Sequence, residues 1–220
     1  MKDSKSTKKS VKETGKAVIE QSKIDEAKQK YAKYDQLMDY APYIIIIIFV
    51  IIIRTFIATP VRVNGPSMNP TLKDGQIMLL YKLAPKLHGY NRFDIIVAKN
   101  DKTRLIKRVI GLPGETVRYE VKQDEKDETK IISTLYINDK AVSEDEFLSE
   151  DAQNLTCTVG GMDALCTEDG VKLGKDEYFI MGDNRGNSKD SRIIGPVKEK
   201  DLKGKTSVRL FPFNKIGKVK

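Results

Sequence analysis

Residues 43–53 read YIIIIIFVIII, eleven apolar residues without one charge. A run with five consecutive isoleucines has no polar face to offer water, so it does not suit a surface helix of a globular domain. The apolar character extends from Tyr40 to Ala58, nineteen residues, close to the roughly 20 that a spanning helix needs. Arg54 interrupts it near one end, where a long side chain can send its guanidinium to the headgroups. A buried core helix and a cleaved secretory signal are the competing readings. The charged lead-in of about forty residues is too long for a secretory signal, and Phe56 and Ala58 do not form a small-x-small cleavage site. The expectation is one retained membrane span over residues 40–58.

The remainder of the chain is not membrane-like. Charged residues make up 32% and hydrophobic ones 40% of its 220 positions, which excludes a polytopic membrane protein and a wholly disordered chain. The net charge of +8 invites a nucleic-acid reading. Its distribution argues otherwise. Residues 1–40 carry +3; residues 59–119 and 178–220 together carry +14; residues 120–177, with sixteen acids and six lysines, carry −10. No basic stripe is paired with an aromatic platform, so no nucleic-acid partner is expected. The alternation of charge predicts a charged tail (1–39), a span (40–58), a core built from 59–119 and 178–220, and an acidic subdomain (120–177) inserted into it. The Lys-rich tail favours a cytoplasmic N-terminus, although Asp35 and Asp39 lie close to the helix and Arg54 and Arg62 sit beyond it. The tail reads as a solvated segment, partly helical or disordered.

After Thr59 the pattern becomes short β-rich runs: 61–63, 77–81, 94–98, 105–110, 116–121, 134–138, 177–182 and 206–211. Gly65-Pro66, Asn69-Pro70, Asp74-Gly75, Pro113-Gly114 and Gly195-Pro196 punctuate them. The fold class expected is mainly β, a partly closed or folded sheet. Cys157 and Cys166 are the two cysteines and His88 the one histidine, which leaves too few ligands for a Cys/His zinc site. No cofactor or metal is expected. A disulfide between the cysteines and a pair of free thiols both remain open. His88, in the loop-like PKLHGYNR stretch, reads as a surface residue.

With one histidine and no nucleophile beside it, a Ser-His-Asp triad has no basis, and a serine nucleophile would need a lysine as its base. Two segments have the right residues. VNGPSMNPTLKDG (63–75) presents Ser67 between a strand and a run of turn residues. RLIKRVIGLPGETV (104–117) places Lys107 among Leu105, Ile106, Val109 and Ile110, where an apolar surrounding would favour the neutral amine. Taken separately, Ser67 reads equally as a turn serine and Lys107 as an exposed strand residue.

Those two segments, with FDIIVAK (93–99) between them, GDNRGNSKDSRIIGPV (182–197) after them and an apolar anchor ahead of them all, resemble in their order the bacterial single-span type I signal peptidases. The resemblance runs from the anchor to the C-terminus. It implies a folded β-sheet core of the signal-peptidase and LexA-like type, and a membrane-bound serine endopeptidase that cuts signal peptides from exported preproteins after small-x-small sites. Ser67 would attack the scissile carbonyl and Lys107 would take its proton. Ser188 matches the serine that orients the lysine, and Asp183, Asp190 and Arg192 match residues that hold the last motif rigid through an ion pair. Two positions depart from the family pattern: Gly65 stands where some members have an oxyanion-stabilising serine, and Phe93 replaces a usual glycine.

An extended signal peptide can pair with a free strand edge, and strands 61–65 and 104–107 are the expected walls. Val61, Val63, Met68, Leu72, Leu105 and Ile106 are the candidate pocket residues, with alternation guaranteeing that some of them face away. Preprotein signal peptides and anionic lipids are the expected partners, at the cell membrane with the core on the extracytoplasmic face. A LexA-type self-cleaving regulator and a non-catalytic tethered β-domain are the rival functions; oligomeric state is not legible.

Overall fold

A computed structural model describes residues 3–100, 103–123, 131–158 and 163–219. Contacts divide the chain into two units, one ending at Ile52 and the other beginning at Ile53.

The first unit is the helix α1 (Asp3–Ile52), which carries Pro42. Residues 44–52 expose their apolar side chains throughout, and the stretch Gln21–Ile57 contains a window of mean hydropathy 2.4, long and apolar enough to cross a membrane. The tail is thus helical from Asp3 onward. A wider π-helical turn, Ile53–Ile57, takes the chain past Arg54, and Ala58 already belongs to a strand. Pro60 suits the strand that follows, since it holds the residue before it, Thr59, in extended geometry.

The second unit is mainly β. In chain order it holds β1 (Ala58–Arg62), β2 (Ile77–Tyr81), α2 (Leu83–His88), β3 (Ile95–Asn100), β4 (Thr103–Gly111), β5 (Thr116–Gln123), β6 (Ile131–Ile137) and β7 (Lys140–Val142). Then follow α3 (Glu150–Thr158), β8 (Val171–Lys172), β9 (Glu177–Met181), α4 (Ser191–Ile194), β10 (Val197–Lys198), β11 (Leu202–Phe211) and β12 (Gly217–Lys218). One sheet runs β1-β2-β11-β3-β4-β9-β10, with β12 added to β11; the other runs β7-β6-β5-β8. Every pairing is antiparallel. The stretch around His88, read as a loop, is instead the end of α2, and His88 is exposed there.

Packing follows the pleat. On β2, Met78 and Leu80 are buried while their neighbours are not, the period-2 pattern of a strand covered on one face. β3 is buried on both faces: Ile95 and Val97 join a cluster with Val63, Met68, Leu72 and Ile106, whereas Ile96 and Ala98 join one with Val109, Tyr178 and Ile180. A third cluster unites Ile110, Phe179 and Met181 of the larger sheet with Val117, Tyr119, Leu135 and Ile137 of the smaller. The smaller sheet therefore shares its core with the larger. Cys157 and Cys166 form a disulfide at the margin of that cluster, with Cα atoms 6.1 Å apart.

Two edges matter for the site. β1 pairs with β2 alone, and β4 meets β9 only from Arg108 onward, so residues 103–107 have β3 on one side and no strand on the other among the described residues.

Candidate active site

Between β1 and β2 the chain makes an excursion closed at its base by Val63 N–H donating to Gln76 O (2.8 Å) and Gly75 N–H to Val63 O (3.0 Å). Gly65 turns with φ 86°, a left-handed conformation open to glycine at little cost, and its N–H donates to Asp74 Oδ1 at 2.7 Å. Ser67 then begins a short turn whose apolar residues, Met68 and Leu72, anchor it in the core beneath. The hydroxyl is left facing the strands while the backbone around it is fixed.

Lys107 sits on β4 opposite Ile96 of β3 and is 2% exposed. Its Nζ donates to Ser67 Oγ at 2.6 Å. Burial is the main force on this amine. Desolvation disfavours the ammonium and lowers the pKa from 10.5 to about 8, aided by the nearby Arg192 and partly opposed by Asp190 and Asp183. A buried lysine with a depressed pKa beside a hydroxyl has the chemistry to take that hydroxyl's proton.

Behind the pair lies a layer of buried ion pairs. Asp183 receives two hydrogen bonds from Arg108, at 2.9 and 2.7 Å, and both side chains are almost wholly buried. Arg108 also donates to Phe93 O and stacks on the Phe147 ring, 3.9 Å from its centroid. Asp190 receives Arg192 at 2.9 Å on each oxygen and the Gly182 N–H at 3.0 Å. Burial alone would raise the Asp190 pKa, but the Arg192 guanidinium and the Gly182 N–H hold it below the usual value. The family's single implied ion pair is thus two, one of them anchored by the residue next to Lys107.

Gly182 explains how the last motif approaches Ser67. A Cβ there would lie 2.3 Å from the Ser67 carbonyl oxygen and 2.2 Å from Ser188 Oγ. Asn184 closes the same contact, its N–H donating to Ser67 O at 3.1 Å and its Nδ2 to Pro66 O at 3.2 Å. Ser188 Oγ is buried and has no hydrogen-bond partner of ordinary geometry, though it lies near enough to Asp190 to favour the ionised carboxylate. Lys107 reaches Ser67 rather than Ser188.

A cleft of about 250 Å³ opens on the pair, lined by residues 60–64, Ser67, Met68 and residues 104–107. Val61, Val63, Met68, Leu105 and Ile106 all border it. Leu72 does not: it is fully buried beneath the turn. Among the described residues no group of three His, Cys, Asp or Glu side chains is placed to hold a metal ion.

Several supporting residues escaped the sequence reading. Arg108, Asn184 and Arg185 lie within residues 104–117 and 182–197, the first two directly beside Lys107 and Asp183, so their position was the available signal. Glu144, Tyr119 and Thr156, which surround Arg185, carry no such signal. Phe93 takes φ 67°, which accounts for the glycine usual at that position in the family; here its ring packs on Phe147 at 4.9 Å.

The family model described as signal peptidase, peptidase S26, matches residues 37–211. A signal peptidase I of Bacillus amyloliquefaciens is 35% identical over 88% of this chain and 98% of its own. One from Bacillus licheniformis is 37% identical over 84% and 95%. A crystal structure of a signal peptidase I from Enterococcus faecalis is 35% identical, covers 53% of this chain and 95% of that one, and superposes with a TM-score of 0.37. On the family match and the identity across most of its length, the chain belongs to the signal peptidase family, peptidase S26, and is a serine endopeptidase.

Proposed function

We propose that this protein is a membrane-tethered peptidase that cleaves signal peptides with a Ser67–Lys107 dyad. The observation that carries the reading is the 2.6 Å hydrogen bond between Lys107 Nζ and Ser67 Oγ, with the lysine buried and its pKa lowered. Neutral Lys107 takes the Ser67 proton as Oγ bonds to the scissile carbonyl carbon. It returns that proton to the leaving amine as the C–N bond breaks, and the acyl-enzyme ester is then hydrolysed by a water that Lys107 deprotonates. The Ser67 N–H is the available backbone donor for the oxyanion, since Pro66 has none and Gly65 carries no hydroxyl. Ser188, Asp183, Asp190 and Arg192 are positioning residues for this pair.

The substrate enters as a strand. The free edges of β1 and of residues 103–107 flank the cleft, and an extended peptide laid between them would gain main-chain hydrogen bonds on both sides. Val61, Val63, Met68, Leu105 and Ile106 leave shallow apolar space, suited to small side chains at the −1 and −3 positions. The span 40–58 holds the enzyme in the membrane with its N-terminus cytoplasmic and Ser67 on the extracytoplasmic face. The basic residues outside the acidic segment favour an anionic lipid surface, so activity on membrane-embedded substrate at low salt rises with anionic lipid content.

The test is cleavage of a tagged preprotein by the detergent-solubilised protein. Ser67→Ala and Lys107→Ala each abolish cleavage while the protein remains folded; processing at the wild-type rate by either variant overturns the mechanism.

A further inference from the structure

The acidic segment contributes a residue on which the catalytic support layer leans. Thr156, on α3, is 1% exposed. Its Oγ1 accepts from Arg185 at 2.8 Å, and its carbonyl oxygen accepts from Arg192 at 3.3 Å. These two arginines act on opposite ends of one residue. Arg185 Nε donates to Gly182 O at 3.2 Å, while Arg192 grips Asp190, whose Oδ2 accepts the Gly182 N–H. Gly182 in turn stands against the Ser67 carbonyl and Ser188. A continuous path of hydrogen bonds and contacts therefore joins Thr156 to the nucleophile, although Thr156 lies outside the cleft.

The position of Thr156 depends on tertiary ties. α3 has nine residues, too few to be a stable helix alone. Asn154 tethers it to β6, accepting from Ser133 N–H at 2.9 Å, and Cys157, the residue after Thr156, is bonded to Cys166. Both cysteines are half-buried against the cluster that contains Tyr119, itself hydrogen-bonded to Arg185 at 3.0 Å.

We propose that Thr156 is a positioning residue for the Ser67–Lys107 pair and that the Cys157–Cys166 disulfide holds it in place, making cleavage sensitive to dithiol reductants. The proposal rests on the dyad reading above. Reduction is a two-electron exchange. A thiolate of the dithiol attacks one cysteine sulfur, the S–S bond breaks, and a mixed disulfide forms. The second thiolate then closes the reagent's own disulfide and leaves Cys157 and Cys166 as thiols. The covalent tie one residue from Thr156 is gone, while its hydrogen bonds to the two arginines must hold unaided.

Steady-state kinetics of the full chain in detergent test this. Thr156→Val keeps the shape and removes the acceptor; kcat falls roughly tenfold, the equivalent of about 1.4 kcal/mol, with KM nearly unchanged. The acid limb of the pH profile moves to higher pH, because a loosened Gly182 segment admits water to Lys107. Thr156→Ser restores both. Dithiothreitol lowers kcat of the wild type in the same sense, reoxidation recovers it, and the Cys157→Ser/Cys166→Ser variant behaves like the reduced enzyme and ignores the reagent. Unchanged kcat and pH profile in folded Thr156→Val, or in reduced wild type, overturn the proposal. So does a loss of folded protein without movement of the acid limb, which marks a merely structural role. Ser67→Ala is the separate control: if it still cleaves, the dyad reading fails, whatever Thr156 does.

Discussion

The lowered pKa of Lys107 fixes how cleavage should respond to pH. At about 8, roughly a tenth of the amine is neutral at pH 7; at the ordinary 10.5 the neutral fraction would be about three-hundredfold smaller. If Lys107 is the base, kcat/KM rises about tenfold per pH unit below 8 and levels above it. The same burial sets the stability. The folded pKa lies below the unfolded one, so between pH 8 and 10.5 the unfolded chain binds a proton that the folded chain does not, and stability rises with pH across that window. The shift corresponds to about 3 kcal/mol, absent below pH 8 and fully present above 10.5. Lys107→Met lacks the group, so the wild type gains about 3 kcal/mol relative to it between those limits. Single-turnover cleavage of a fluorescent preprotein from pH 5.5 to 10 reads the first effect, and urea denaturation of both proteins in detergent at pH 7 and 10.5 reads the second. A profile flat below pH 8, or a stability difference independent of pH, would refute the claim that a buried neutral lysine is the base.

Three further outcomes concern the residues around the pair. Asp183→Asn leaves Arg108 buried without its carboxylate; the protein loses about 3–5 kcal/mol, read by urea denaturation, and an Asn variant of wild-type stability contradicts the pairing. Gly182→Ala drives a methyl into the Ser67 carbonyl, a backbone atom that cannot swing aside, so cleavage falls by orders of magnitude while circular dichroism still reports a folded protein; retained activity there shows the contact to be loose. Gly65→Ser meets open space but a left-handed backbone, costing about 1–2 kcal/mol in urea denaturation with cleavage retained; a larger loss means the hydroxyl breaks the Asp74 hydrogen bond.

The eight longer strands were legible because each contains a short run rich in β-branched, aromatic or other apolar residues, such as IMLLY of β2 or IIVA of β3, and turn residues punctuate the runs. β8, β10 and β12 have two residues each and β7 has three, too few for any periodicity to register. The same limit hid α2, α3 and α4. Leu72 fell on the wrong side of expectation for a related reason. Met68 and Leu72 both follow Ser67 closely in the chain, but the turn that lifts Ser67 toward the cleft pushes Leu72 under it.

The site itself divides in the same way. Ser67 and Lys107 were legible as a chemical pair, because one histidine leaves few bases for a serine and a lysine among Leu105, Ile106, Val109 and Ile110 has an evident reason to be neutral. That they touch, forty residues apart in the chain, is a product of β4 lying beside the β1–β2 excursion. The second layer was hidden by charge. Read as composition, +14 in the core and −10 in the insert look like two separated fields. Arg185 and Glu144 come from opposite sides of that division, and they meet at 2.5 Å with both side chains almost wholly buried. A buried arginine without its carboxylate is strongly unfavourable, so the core as a block of sequence is electrically incomplete. The acidic segment completes it, supplying Glu144 to Arg185, Thr156 to both Arg185 and Arg192, and Phe147 to Arg108. Part of the opposition between the two blocks is one ion-paired layer whose halves are written far apart in the chain.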